Sequence, residues 1–210
     1  MAFLFTKEFI ANGLTYSDHR RQINEALALP PVDEAAEKMR PYFIKNVRLM
    51  DSYDESYHVS EDLKKLVEAA PATTWVVITE GWCGDVAYNV PLLAKLEKAA
   101  PEKVKLSLFL RDSNLELIDA YLTDGGRSIP KVIVLNQNLQ ELGTWGPRPG
   151  ALQVLMKKWK SEGLVLKDLL PKVQEWYDAD NTKSLHEELS TLIKSYTGIN
   201  NQLTTSISTK

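Results

Sequence analysis

Between residues 60 and 162 the apolar positions switch repeatedly between a helical and a strand rhythm. Leu63, Leu66, Val67 and Ala70 fall at i, i+3, i+4 and i+7, one face of a helix that Pro71 stops. The short apolar run over 75–79 then predicts a buried strand. Val86, Val90, Leu93 and Leu96 share the inward face of a helix over 86–100, with Pro91 inside it as a source of a kink. The run V-K-L-S-L-F-L over 104–110 predicts a second strand. Ser113-Asn114-Leu115-Glu116 fits a capping box, opening a helix with Leu115, Ile118 and Leu122 on one face that should end at Gly125-Gly126. The segment R-S-I-P-K-V-I-V-L, the turn N-Q-N and a strand over 140–144 read as a hairpin. Leu152, Leu155, Met156 and Trp159 mark a further amphipathic helix. Alternation of this kind predicts an α/β domain.

The flanks are helical. Ser17 can cap a helix to about residue 29 with Ile23 and Leu27 on one face, and Pro30-Pro31 ends it. Asp33 can cap a second helix, which Pro41 should kink or restart. Tyr16, Tyr42, Phe43, Tyr53 and Tyr57 could line a ligand groove, but the usual burial of aromatics favours packing against the next domain. Beyond residue 162, two helices are predicted over 168–177 and 185–196, with Leu185, Leu189, Leu192, Ile193 and Tyr196 on one face of the second. A polar tail follows, expected to fray. The chain therefore divides into a helical extension over 1–59, a central domain over 60–162 and a helical C-terminal extension over 163–210. No internal repeat or long Gly/Ser linker separates them, so the extensions should pack on the centre.

Composition narrows the function classes. With 210 residues and 44% hydrophobic content, the chain can bury a sizeable core. A net charge of −3 gives no bulk attraction for nucleic acid or an anionic membrane. The single cysteine excludes an intramolecular disulfide. The apolar run before Lys7 falls short of the roughly 7–15 residues of a secretory signal, and no span suits a membrane helix. A soluble cytoplasmic protein is the expectation. His19, His58 and His186 are dispersed, so no metal site is expected, and neither a P-loop nor a G-x-G-x-x-G motif occurs. Lys157, Lys158 and Lys160 read as a solvated helix face.

The candidate chemistry lies in the stretch T-T-W-V-V-I-T-E-G-W-C-G-D-V-A over 73–87. It places Cys83 where a strand runs into a helix, and unpaired N–H groups there favour a thiolate. A lone cysteine is more commonly a small buried hydrophobe. Asp85 could cap the helix, act as a general base or orient a substrate; capping is the favoured role. Its charge would also raise the neighbouring thiol pKa, and Glu80 adds further negative charge nearby. No Lys, Arg or His lies within five residues of Cys83, so any cation beside it must come from the fold.

This stretch resembles the active turn of the thioredoxin superfamily, W-C-G-P-C. Trp82, Cys83 and Gly84 match, Asp85 replaces the proline and Val86 replaces the second cysteine. Pro91 falls at the family's offset, eight residues after the first cysteine. Arg127-Ser128-Ile129-Pro130 is similar to the family's loop before its antiparallel hairpin, which implies a cis peptide at Pro130 beside the cysteine. Val77 stands where related dithiol members bury an acidic residue. The resemblance covers about residues 60–162 and implies a thioredoxin-like α/β fold, a mixed central sheet flanked by helices, with helical N- and C-terminal extensions.

The family's usual reaction is dithiol–disulfide exchange, but Val86 cannot resolve a mixed disulfide. What the resemblance leaves is monothiol exchange at Cys83, resolved by an external thiol. No resident cofactor is implied; glutathione enters as a co-substrate, and the partner is a protein or small-molecule thiol or disulfide. Trp82, Ile129 and Pro130 would line the substrate groove. Arg127 could meet a carboxylate through its planar fork or simply be a solvated loop arginine. Trp145 and Gly146–Pro149 could form a second wall, although Trp145 reads better as packing. The competing reading is a non-catalytic binding module that keeps the groove and has lost the chemistry.

Overall fold

The computed structural model describes residues 3–198, and the polar tail expected to fray lies outside them. Four strands form one mixed sheet: β1 (Thr73–Thr79), β2 (Val104–Leu110), β3 (Lys131–Leu135) and β4 (Glu141–Trp145), in the order β2-β1-β3-β4. β1 runs parallel to β2 and antiparallel to β3, and β3 pairs antiparallel with β4. Trp75, Val76, Val77 and Ile78 are all fully buried. Successive strand residues point to opposite faces, so the centre of β1 is covered on both sides, and its unbroken apolar run follows from that.

The helices are α1 (Lys7–Ala11), α2 (Tyr16–Ala28), α3 (Glu34–Ser56), α4 (Glu61–Ala69), α5 (Gly84–Ala99), α6 (Leu115–Asp119), α7 (Gly150–Ser161), α8 (Leu166–Asp180) and α9 (Lys183–Thr197). α5 connects β1 to β2. Both extensions pack on the centre: α3 lies along α5, α2 contacts β2, and α9 packs against α4 and β4. Leu14 also pairs with Leu108 through two backbone hydrogen bonds of 2.8 and 2.9 Å, closing part of the outer edge of β2. An otherwise open strand edge invites pairing with another chain, and this bridge removes some of it.

Three expectations need correction. Thr15, not Ser17, caps α2, in a reciprocal capping box with Asp18. α3 runs through Pro41 as one helix, so the restart expected there does not occur. A proline inside a helix costs roughly 3 kcal/mol; here the burial of Asn46 and Met50 and the packing along α5 compensate. The capping box at Ser113 does not form. Ser113 lies in a 3-10 turn, α6 is one short helix, and Leu115 and Leu122 are exposed. Helix is lost here because Asp124 and Gly125 both take positive φ (51° and 76°), bringing Thr123 and Gly126 into a two-way backbone pair. Such an Asp-Gly pair favours a tight hairpin turn, and that local chemistry wins over the helical rhythm.

Candidate active site

Cys83 is the N-cap residue of α5. It is half-buried, and its Sγ–H donates to the carbonyl oxygen of Ile129 at 3.3 Å. The Ile129–Pro130 peptide that follows that carbonyl is cis. Ile129 is buried, whereas Trp82 is partly exposed with the Arg111 guanidinium 4.5 Å from its ring centre. Cys83, Trp82, Ile129 and Pro130 are therefore neighbours, brought together by the turn after β1 and the segment before β3.

Two opposing influences act on the thiol. Burial and the Asp85 carboxylate raise its pKa, and the backbone N–H groups of Val86 and Asp85 and the nearby Arg148 lower it. Burial wins, and the thiol is pushed up to about 12. The protonated thiol is therefore the form favoured at neutral pH. The hydrogen bond to Ile129 acts in the same direction, because it holds the protonated form.

Asp85 makes no side-chain cap on α5. Its Oδ2 instead accepts from Arg148 Nε at 3.0 Å and Nη2 at 2.5 Å, and its Oδ1 accepts from the Tyr177 hydroxyl at 2.8 Å. Arg148 Nη1 donates to Gln153 Oε1 at 2.7 Å. Asn89 Nδ2 donates to the Tyr177 hydroxyl at 2.9 Å. The ion pair is largely desolvated, with the Arg148 and Asp85 side chains 15% and 10% exposed. Burial opposes the charge on Arg148, yet Asp85 outweighs it and raises the pKa of the guanidinium. Burial and Asp85 hold the Tyr177 phenol well above its ordinary range.

The loop that carries Arg148 is fixed at both ends. Gly146 sits at φ +108°, and a Cβ there would lie 2.2 Å from the Pro130 carbonyl oxygen. Only glycine permits so close an approach between this loop and the proline loop. On the other side, Glu188 of α9 accepts from Trp145 Nε1 at 2.6 Å and from the Gly150 N–H at 2.7 Å.

Arg127 does not supply the cation beside Cys83. Its fork is engaged by Asp119 at 2.6 and 2.7 Å on the surface. Glu80 is buried and accepts from the Asp112 N–H at 2.9 Å; burial raises its pKa. Tyr177, Asn89 and Glu188 carry no signal in sequence as neighbours of the Cys83 turn, whereas Arg148 lies within the Gly146–Pro149 segment read as a possible second wall. Among the described residues, no cluster of three His, Cys, Asp or Glu side chains could hold a metal ion, and no helix is long and apolar enough to cross a membrane.

The sequence model of a family described as Thioredoxin matches residues 30–160, and the chain belongs to that family. The match starts inside the segment read as the N-terminal extension, so it takes in α3. No curated protein matches. Two solved structures are similar in fold. One is a protein of unknown function from Pseudomonas aeruginosa, with a TM-score of 0.59 and 16% identity, over 91% of this chain and 98% of that one. The other is an HIV epitope scaffold, with a TM-score of 0.53 and 16% identity, over 94% of this chain and 98% of that one.

Proposed function

We propose that this thioredoxin-family protein is a monothiol exchange protein whose Cys83 is protonated at rest. The observation that carries this reading is the position of its only cysteine. It lies at the N-cap of α5, with its thiol on the Ile129 carbonyl beside the cis Pro130 and the N–H groups of Val86 and Asp85 turned to its sulfur. A disulfide-bearing substrate laid along Ile129–Pro130 would offer its own N–H to the Ile129 carbonyl and displace the thiol from it. Cys83 then attacks one sulfur: Cys83–SH and R–S–S–R′ give Cys83–S–S–R and R′–SH, the thiol proton leaving with the second sulfur. Val86 offers no second thiol, so an external thiol of the glutathione class attacks the mixed disulfide, returning Cys83–SH and carrying R away as a new disulfide. Trp82 walls the groove. A reducing compartment such as the cytoplasm suits a lone thiol resolved in this way.

A second reading is favoured by the height of the Cys83 pKa: a non-catalytic module that binds extended segments in the same groove. Incubation of the folded protein with glutathione disulfide, followed by mass measurement, separates the two. Monothiol exchange gives one glutathione on Cys83, removed by added glutathione and absent in Cys83→Ser. A folded chain that stays unmodified, while the unfolded chain is modified, sinks the exchange reading in favour of the binding module.

A further inference from the structure

Resting on the monothiol reading, we propose that Arg148 is the positioning residue for Cys83, held in place by the C-terminal helices α8 and α9. Its guanidinium is held by Gln153 and by the Asp85 carboxylate in the first turn of the helix that Cys83 caps, and prolines flank the residue in the chain. Tyr177 of α8 takes the other Asp85 oxygen, and Glu188 of α9 pins the loop at Trp145 and Gly150.

The electrostatics follow from counting charge. With Arg148 present, Asp85 and Arg148 cancel, and loss of the thiol proton takes the cluster from neutral to one negative charge. Without Arg148 the same step takes it from one negative charge to two, in a largely desolvated place where an unpaired charge is costly. Arg148 therefore eases the loss of the Cys83 proton, working against burial and Asp85, which keep the thiol's pKa high. The C-terminal helices become part of the site, because Tyr177 of α8 holds Asp85 and Glu188 of α9 pins the loop that carries Arg148. Tyr177 is a second positioning residue, acting through Asp85. Its ring is stacked on Tyr88 at 4.0 Å, so removal of the hydroxyl alone leaves the packing in place.

The test is the rate of Cys83 alkylation by iodoacetamide in the full chain, followed from neutral to strongly alkaline pH. An opposite charge beside a titrating group moves its pKa by about a unit or more, a factor of ten in ionised fraction. Arg148→Gln should therefore react roughly tenfold more slowly at a given pH, and Asp85→Asn roughly tenfold faster. Arg148→Lys keeps the charge but loses the fork to Asp85 and Gln153, and should recover part of the wild-type rate. A purely structural clasp would lower the unfolding midpoint without moving the pH profile. Should Arg148→Gln fail to fold, Tyr177→Phe reads the same cluster and should slow alkylation about threefold, within the span of one lost hydrogen bond. Folded variants that all alkylate at the wild-type rate overturn the proposal. Glutathione disulfide added to the same variants keeps the two claims apart. The predicted order of alkylation rates without any mixed disulfide leaves Arg148 its role and removes the exchange reading. Equal rates with a mixed disulfide do the reverse.

Discussion

The turn that carries Cys83 is gripped from both ends of the chain, and the two grips differ in kind. On the N-terminal side the contacts are neutral. The buried Asn46 amide of α3 donates to the Gly81 carbonyl at 2.9 Å, and Ile23 and Phe43 fill the space that a Gly81 side chain would need, 2.7 Å from an added Cβ. On the C-terminal side the contacts are to a charge: Arg148 and Tyr177 close on Asp85. A neutral grip fixes where the sulfur sits. A charged grip adjusts what its deprotonation costs, on top of the larger cost of burial.

The comparison can be broken most severely at Gly146, where the Arg148 loop meets the proline loop. Gly146→Ala brings a Cβ against the Pro130 carbonyl and forces a positive φ on a residue that resists it. It should cost roughly 3 kcal/mol or more, read by denaturant unfolding.

The N-terminal grip carries its own pH sensitivity. His19 of α2 is fully buried with neither ring nitrogen hydrogen-bonded, and burial, with Arg20 beside it, lowers its pKa from 6.5 to about 4. The folded protein holds this ring neutral, so between about pH 6.5 and pH 4 the unfolded chain binds the extra proton. Its contribution is complete above the unfolded pKa and is lost as pH falls through that window, at most roughly 3 kcal/mol. His19→Leu should flatten that part of the stability profile; an unchanged slope would remove His19 as its source.

Smaller changes sharpen the contrast between the two sides. Asn46→Leu strands the Gly81 carbonyl and should cost about 2 kcal/mol while moving the Cys83 alkylation rate less than twofold. Glu188→Gln weakens the bonds to Trp145 and Gly150 for about 1 kcal/mol, and should slow alkylation slightly through the looser Arg148 loop. If Asn46→Leu shifted the alkylation profile as far as Arg148→Gln, the distinction between the two grips would be lost.

Element order was legible in sequence because each element carries its own rhythm. The all-buried β1 reads as an apolar run, α4 as a helical stripe, and β2 as the same residues that form it. Expectations failed where local chemistry overrode rhythm, at the Asp124-Gly125 turn, or where tertiary packing overrode a breaker, at Pro41 in α3. The neighbours of the thiol show a similar division. Trp82 and Asp85 adjoin Cys83 in sequence, and the segment ending in Pro130 carries a motif of its own. Arg148 and Tyr177 reach Asp85 from positions 63 and 92 residues along the chain, a separation that no local pattern encodes. A cation beside the site had to come from the fold, and Arg127, the nearer candidate in motif, spends its fork on Asp119 instead.

The most direct test of the central claim is the pH dependence of Cys83 alkylation in the wild-type protein, with Cys83→Ser as the blank. A thiol held by burial, Asp85 and the Ile129 carbonyl should react with a midpoint well above the free-thiol value of about 8.5, towards 12. A midpoint below the free value would mean that the helix N–H groups and Arg148 outweigh burial, and that Cys83 is a thiolate at rest.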